Sequence, residues 1–163
     1  MLHYPEVDAD VFQTNKNQVR AGAHTDYGSR HLLGIPRSDA DIRLTGSITL
    51  LFQDSRGGLQ VLSPNNTFVN ATPIEDTIVV NAGDLLARWS NDVIKSTKHR
   101  VVEPPVAAHS GKHPARYSIA YFCNPNFDRF IDAIPGTYDE AKAKKYNGVN
   151  SGDYLVQRLT VTY

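Results

Sequence analysis

The sequence predicts a mainly-β domain, a sandwich or barrel, that ends in one or two short helices. Short segments rich in β-branched and aromatic residues recur along the chain, and clusters of glycine, proline, asparagine and aspartate separate them. After Pro125 the composition changes to residues in helical proportions. The 163 residues, 40% hydrophobic and 21% charged, suffice for one domain with a hydrophobic core and are too few for two ordinary domains.

Six segments are predicted to be strands. Turn clusters at 54–58 and 63–66 indicate that the strands around them form a meander of hairpins. Residues 77–81 are almost entirely apolar, which is typical of a strand buried on both faces. Two prolines, at 104 and 105, end the strand before them because proline cannot donate to a central ladder. The predicted strands are 48–53, 59–62, 67–69, 77–81, 98–102 and 116–122.

The tail is predicted to be helical in two places. Residues 138–146 contain aspartate, glutamate, alanine and lysine in helical proportions. Ser151 is a plausible N-cap for a second helix over 154–159, since its hydroxyl can accept a backbone N–H.

Residues 30–47 follow neither the strand nor the helix period, and they interrupt an otherwise regular order of elements. Two interpretations are open for this atypical insertion. It is either a long functional loop such as a lid, or a piece of foreign sequence such as an untrimmed intron.

Charge and cysteine content exclude several classes of partner and location. Seventeen basic residues balance seventeen acidic ones, so we expect neither general nucleic-acid binding nor binding to an anionic membrane. The single cysteine, Cys123, cannot form an internal disulfide, which suits a reducing compartment. Neither a membrane span nor a secretory signal is recognisable, so the prediction is a cytoplasmic protein.

Two histidines and one aspartate form a candidate metal site. His24 and Asp26 are two residues apart, so in an extended segment both side chains point to the same face, and His99 would join them from a distant strand. Two imidazoles and one carboxylate are the facial-triad ligands of non-haem Fe(II). Arg116 and Ser118, also two apart, would place a guanidinium and a hydroxyl in the same cavity, as the far carboxylate of 2-oxoglutarate requires.

Each of these signals is weak by itself. An isolated His-x-Asp is more often a surface turn, and His99 between two basic residues is compatible with an exposed strand position. The Arg116-x-Ser118 pair is also compatible with an ordinary ion-pairing edge position. The order and separation of all five residues strengthen the hypothesis. The three other histidines that we expect to be solvated and not to bind metal are His31, His109 and His113.

A string of further motifs accompanies these residues in a fixed order. With them the chain resembles the catalytic half of 2-oxoglutarate/Fe(II)-dependent dioxygenases, in the branch similar to isopenicillin N synthase. The resemblance covers nearly the whole chain except 30–47. The matching segments are 2–5, 22–29, 48–54, 57–61, 81–86, 89–92, 95–101 and 116–118.

The resemblance implies a double-stranded β-helix, or jelly-roll, spanning residues 1–163 as one catalytic domain. It implies that Fe(II) is held by His24, Asp26 and His99. It assigns the segment 81–84 to a structural turn without chemistry. The reaction it implies is hydroxylation or desaturation of a small organic substrate with O₂, which releases succinate and CO₂.

The resemblance also implies a binding site for 2-oxoglutarate as co-substrate. Arg116 and Ser118 would hold its distal carboxylate, and Tyr4 could add a hydroxyl there. An oxidase that uses iron and O₂ without 2-oxoglutarate is disfavoured by the Arg-x-Ser pair.

The chain departs from the family in two places. Family members carry a helical region before the segment 2–5, whereas this sequence begins almost on that segment, and removal of 30–47 would restore a continuous family pattern. Both departures suggest a truncated or misassembled product. The alternative to an active oxygenase is therefore a catalytically impaired, metal-binding jelly-roll fragment, and a non-catalytic β-sandwich binding module is the third hypothesis. The substrate and the oligomeric state are not predicted.

Overall fold

The computed structural model describes residues 1–11, 19–26, 47–103 and 111–162. Among them, short strands predominate and a twelve-residue helix ends the chain, so the predicted mainly-β fold with a C-terminal helix is confirmed. The helices with described bounds are α1 (Asp84–Trp89) and α2 (Ser151–Thr162). The strands are β1 (Leu2–Tyr4), β2 (Val7–Asp8), β3 (Ala21–His24), β4 (Ile48–Gln53), β5 (Leu59–Leu62), β6 (Phe68–Asn70), β7 (Val79–Ala82), β8 (His99–Val101), β9 (Lys112–His113), β10 (Arg116–Cys123), β11 (Phe130–Ile131) and β12 (Val149–Asn150).

The described strands form two four-stranded sheets and two two-stranded ones. One large sheet has the order β1-β10-β4-β7 and the other the order β3-β8-β5-β6. The small sheets pair β2 with β9 and β11 with β12. Strands that are far apart in sequence are thus neighbours, and β3 pairs antiparallel with β8.

The chain divides into two compact units. The first comprises Met1–His24, Leu51–Val79 and Thr97–Ala120. Its buried centre is a small apolar cluster contributed by β3, β5 and β8, against which side chains of β1, β4 and β7 pack. The cluster consists of Ala21, Leu59 and Val101.

The second unit comprises Thr25–Leu50, Val80–Ser96 and Tyr121–Tyr163. Its buried apolar residues come from α1, the β11 segment and α2, and they are Leu85, Ala87, Ile131, Ala133 and Leu155. Helix α2 begins one residue after Asn150, whose Oδ1 accepts the Gly152 backbone N–H at 3.0 Å. The N-cap is therefore Asn150, and the prediction of Ser151 as the cap is wrong by one residue.

Most predicted strands are present, but the one at 77–81 differs in position and burial. The observed β7 starts two residues later and lies at the end of its sheet order. Val80 is 65% exposed, so this strand is not buried on both faces in the described structure. An outer strand has one free edge, and apolar composition alone does not distinguish it from a central strand.

The helix predicted over 138–146 is wrong. Asp139 accepts the backbone N–H groups of Ala141 and Lys142 at 2.8 and 2.7 Å, which makes a local turn. Asn91 then accepts the N–H of Lys145 at 2.8 Å. Side chains thus bind the backbone groups that a helix would pair internally.

Two further expectations concern the atypical insertion and a membrane-spanning segment. Of the atypical insertion 30–47, only Ser47 belongs to the described part of the chain. No helix among the described residues is long and apolar enough to cross a membrane.

Candidate metal centre

The antiparallel pairing of β3 with β8 brings two histidines together. His24 is the register partner of His99, and the two ring centroids are 4.4 Å apart with the planes at 60°. His24 Nδ1 lies 2.6 Å from the Gly22 carbonyl oxygen, and His99 Nδ1 lies 3.2 Å from that of Thr97. A carbonyl only accepts, so each Nδ1 carries the proton and each Nε2 carries the lone pair that a metal binds.

Asp26 lies two residues after the end of β3 and is buried, with 4% exposure. Its Oδ2 accepts hydrogen bonds from Thr49 Oγ1, at 2.7 Å, and from Asn81 Nδ2. The side chain between the two predicted ligands turns elsewhere, since Thr25 Oγ1 donates to Asp84 Oδ2 at 3.1 Å. The Thr25 side chain therefore has a different partner from the side chains of His24 and Asp26, as the alternation of an extended segment predicts.

His24, Asp26 and His99 each offer one ligand atom, and these atoms lie within 4.8 Å of one another. Ligand atoms that each bind one ion at about 2 Å lie about 3–4 Å apart, so small side-chain movements suffice to bind a common ion. Two imidazole nitrogens and one carboxylate oxygen are the donor set that non-haem Fe(II) takes in its facial triad, and this set leaves positions open for other ligands. The residues present fit such an ion.

Arg116 is buried, with 1% exposure. Its Nε donates to the Gly57 carbonyl at 2.8 Å, its Nη1 to Ser118 Oγ at 3.2 Å, and its Nη2 to Gln53 Oε1 at 3.3 Å. Three acceptors in different directions fix the plane of the guanidinium. A fixed, permanently charged fork is suited to a carboxylate.

Tyr4 belongs to the same group of side chains. It is the register partner of Arg116 in the β1–β10 pair, and the guanidinium carbon lies 5.2 Å from the centroid of its ring. Burial raises the pKa of the Tyr4 phenol, although the charge of Arg116 opposes this effect. The phenol is therefore neutral at physiological pH and can donate its proton to a carboxylate.

Sequence reasoning missed the side chains that support these residues. Asn81 lies in a turn to which we assigned no chemistry, yet it bonds to Asp26. Gln53 and Gly57 lie in the matching segments 48–54 and 57–61 and were assigned no role, although both bind Arg116. Motif order is the only signal in the sequence for these contacts, because each one joins residues far apart in the chain.

The expectation that His113 is solvated is wrong, because this residue is buried, with 4% exposure, and its Nε2 contacts Glu103 Oε1. Its strand β9 pairs antiparallel with β2, in which Val7 is its register partner. His31 and His109 lie outside the described residues.

The sequence profile of the 2OG-Fe(II) oxygenase superfamily matches residues 2–125. The chain belongs to this superfamily. The family uses Fe(II) and 2-oxoglutarate, so the two predicted cofactors are confirmed at the level of the family.

Curated relatives carry oxygenase names. The chain is 34% identical to the 2-oxoglutarate-Fe(II) type oxidoreductase ppzD of Metarhizium majus, over 99% of this chain and 41% of that protein. It is 36% identical to the proline hydroxylase buaE of Petromyces alliaceus, over 99% of this chain and 45% of that protein. The chain thus spans less than half the length of these relatives.

Solved structures give the same result. The chain is 62% identical to a full-length Neurospora crassa protein solved in complex with alpha-KG and 5-formyluracil, with a TM-score of 0.81 over 98% of this chain and 45% of that one. The rice dioxygenase for auxin oxidation is 29% identical, with a TM-score of 0.66 over 90% of this chain and 42% of that one. The predicted fold class, a jelly-roll with a C-terminal helix, is confirmed by this likeness.

Proposed function

We propose that residues 1–163 form the catalytic domain of an Fe(II)- and 2-oxoglutarate-dependent oxygenase that oxidises a C–H bond of a small organic molecule. The observation that carries this proposal is the set of three ligand atoms, from His24, Asp26 and His99, within 4.8 Å of one another. Membership of the 2OG-Fe(II) oxygenase superfamily supports it. The impaired-fragment alternative is not favoured, because the donor set is complete.

The chain's own residues have separate tasks in this reaction. His24, Asp26 and His99 hold the metal, which when bound supplies the activation of O₂ that decarboxylates 2-oxoglutarate and oxidises the substrate. Each Nδ1–H bond to a backbone carbonyl fixes the ring orientation of its histidine.

The co-substrate is held by a second group of residues. Arg116 forms charge-assisted hydrogen bonds with the distal carboxylate, and Ser118 and Tyr4 donate hydroxyl hydrogens to it. Because Arg116 is almost completely buried, little water competes for the carboxylate, and the orientation of the oxo acid is well defined.

The substrate class that we propose is a pyrimidine base with a methyl group at C5. The same Neurospora crassa protein, 62% identical over 99% of this chain, has been solved in complex with alpha-KG and thymine. The ring carbon next to that methyl group carries no hydrogen, so desaturation cannot occur there. The balanced reaction is methyl base plus O₂ plus 2-oxoglutarate, giving hydroxymethyl base, succinate and CO₂.

The test is thymine-dependent succinate formation by the purified chain with Fe(II) and 2-oxoglutarate. His99→Ala is expected to abolish turnover and stoichiometric iron binding, because one of three protein ligands is lost. His3→Ala is the matched control, since His3 is an exposed histidine of β1 that stacks on Tyr117. Unchanged succinate formation in His99→Ala would contradict the oxygenase assignment.

Substrate choice is tested separately with uracil, which lacks the methyl group, and with free proline. Turnover with proline and none with thymine would overturn the substrate class while leaving the oxygenase proposal intact. Stoichiometric iron binding without turnover of any kind would favour the impaired fragment.

The cytoplasmic location and the absence of nucleic-acid partners are also proposals. The balanced charge and the single cysteine support them. Fluorescence imaging of the tagged protein and a binding assay with single- and double-stranded DNA test them.

A further inference from the structure

We propose that Thr49 and Asn81 are positioning residues that make Asp26 a one-oxygen metal ligand. This inference rests on the proposed function and goes beyond it, since it assigns a task to two side chains outside the ligand set. Both residues bond to the same oxygen, Oδ2 of the Asp26 carboxylate. In this proposal the metal binds the other oxygen of the carboxylate, Oδ1.

The two donors come from neighbouring strands of one sheet. Thr49 lies in β4 and Asn81 in β7, and β4 and β7 are adjacent. Thr49 is 6% exposed and Asp26 is 4% exposed, so water competes little for these bonds. A rigid sheet thus presents a hydroxyl and an amide to one carboxylate oxygen from two directions.

The backbone on either side is also fixed. The Asp84 N–H donates to the Asp26 carbonyl at 3.1 Å, and the Gly83 N–H donates to the Ser47 carbonyl at 2.8 Å. These bonds hold the turn after β7 beside Asp26 and Ser47. Side chain and main chain of Asp26 are therefore both oriented by the segment 81–84, which the sequence analysis regarded as purely structural.

The chemical consequence concerns the number of open positions on the metal. A carboxylate can bind a cation through one oxygen or through both. If Oδ2 also bound the metal, it would occupy a position that the oxo acid or O₂ needs. Two hydrogen bonds that engage Oδ2 oppose this second contact and keep the facial arrangement of three ligand atoms.

The experiment measures Co(II) affinity of the apo-protein by calorimetry, together with the visible absorption of the Co(II) form. Thr49→Val removes the hydroxyl at nearly constant volume, and Asn81→Ala removes the other donor. Each is expected to weaken Co(II) binding about 10-fold, and the double variant about 100-fold. The Co(II) spectrum is expected to change as Oδ2 reaches the metal.

Two controls separate positioning from packing. Thr49→Ser keeps the hydroxyl and loses only the methyl group, so its affinity is expected to stay within about twofold of the wild-type value. Asn70→Ala removes an asparagine whose Oδ1 accepts from Gln60 on an exposed surface, at 2.9 Å, and it is expected to have no effect. Equal weakening by Thr49→Ser and Thr49→Val would overturn the inference in favour of packing.

The remaining outcomes distinguish this inference from the function on which it rests. Wild-type affinity and spectrum in both Thr49→Val and Asn81→Ala, with binding abolished in His24→Ala, would overturn the inference alone. Undiminished binding in His24→Ala would overturn the metal site itself. Since the two donors lie on different strands, Asn81→Ala tests the claim even where Thr49→Val does not fold.

Discussion

Arg116 donates through Nη1 to the hydroxyl of Ser118, two residues further along β10, at 3.2 Å. Both side chains are buried, with exposures of 1% and 4%, whereas Tyr117 between them is 45% exposed. Strand alternation alone produces this arrangement. The hydroxyl holds one end of the guanidinium in position, and the pair forms the polar centre of the proposed co-substrate site.

Replacing Arg116 by lysine is expected to weaken 2-oxoglutarate binding about 10- to 100-fold, since a hydrogen bond to a charged group contributes about 1.5–3 kcal/mol. Lysine keeps the charge but lacks the planar fork. Calorimetry of the Co(II)-loaded protein measures the Kd. Arg100→Lys is the control, because Arg100 instead bonds to Gln60 and lies over Phe68. Equal Kd values in both variants would contradict the assignment of Arg116.

Gly57→Ala is expected to weaken the same site indirectly. Gly57 has φ = +77°, and its carbonyl accepts from Arg116 Nε at 2.8 Å. An alanine in the left-handed region costs about 1–2 kcal/mol, which the loop relieves by rotating that carbonyl away. We expect a higher KM for 2-oxoglutarate and a lower urea midpoint. A lower midpoint with an unchanged KM would mean that the carbonyl does not orient the guanidinium.

The sequence predicts well those features that depend on neighbours in the chain. His24 and Asp26 lie near each other because the residues are two apart, and the same rule places Arg116 beside Ser118. Pairing His24 with His99 required a fold, and the family resemblance supplied it. Local alternation and motif order together were sufficient for the residues that we expect to bind metal.

The wrong and missed predictions involve contacts between residues that are far apart in the chain. The segment 138–146 has helical composition, but Asn91, some fifty residues earlier, binds its backbone and prevents the helix. Thr49 and Asn81 escaped notice because their partner Asp26 is distant in sequence. Propensity is a weak prior, and a long-range contact outweighs it wherever it satisfies the backbone.

Asn91→Ala is expected to destabilise the second unit by about 2–4 kcal/mol. Asn91 is completely buried. Its Nδ2 donates to the carbonyls of Thr137 and Ala143 at 3.0 and 3.2 Å. Its Oδ1 accepts the backbone N–H of Lys145. Its φ of +49° adds a further cost for alanine. Urea unfolding at neutral pH measures the loss.

The control for that change is Asn70→Ala, which removes an exposed asparagine amide from β6. It is expected to alter the free energy of unfolding by less than about 0.5 kcal/mol, as for most surface substitutions. A similar loss of unfolding free energy in both variants would show that Asn91 does not stabilise the segment 137–145.

Asp92 makes stability depend on pH. Burial acts to raise the pKa of this carboxyl, but the hydrogen bonds from Lys145 and Tyr146 lower it more, so the pKa lies below its ordinary value. A carboxyl whose pKa is lowered by folding stabilises the native state above its unfolded-state pKa. That stabilisation disappears as the pH falls through the native-state pKa, because the protonated group no longer pairs with Lys145.

Asp92→Asn is therefore expected to be less stable than the wild-type chain at neutral pH and to lose less stability on acidification. Asparagine adopts the backbone angle at this position, φ = +62°, at little cost, so the difference reports the charge. Urea unfolding from neutral to acid pH measures the two curves, and Glu75→Gln, on an exposed turn, is the control that should follow the wild type. Parallel curves for Asp92→Asn and the wild type would mean that the carboxylate contributes no pH-dependent stability.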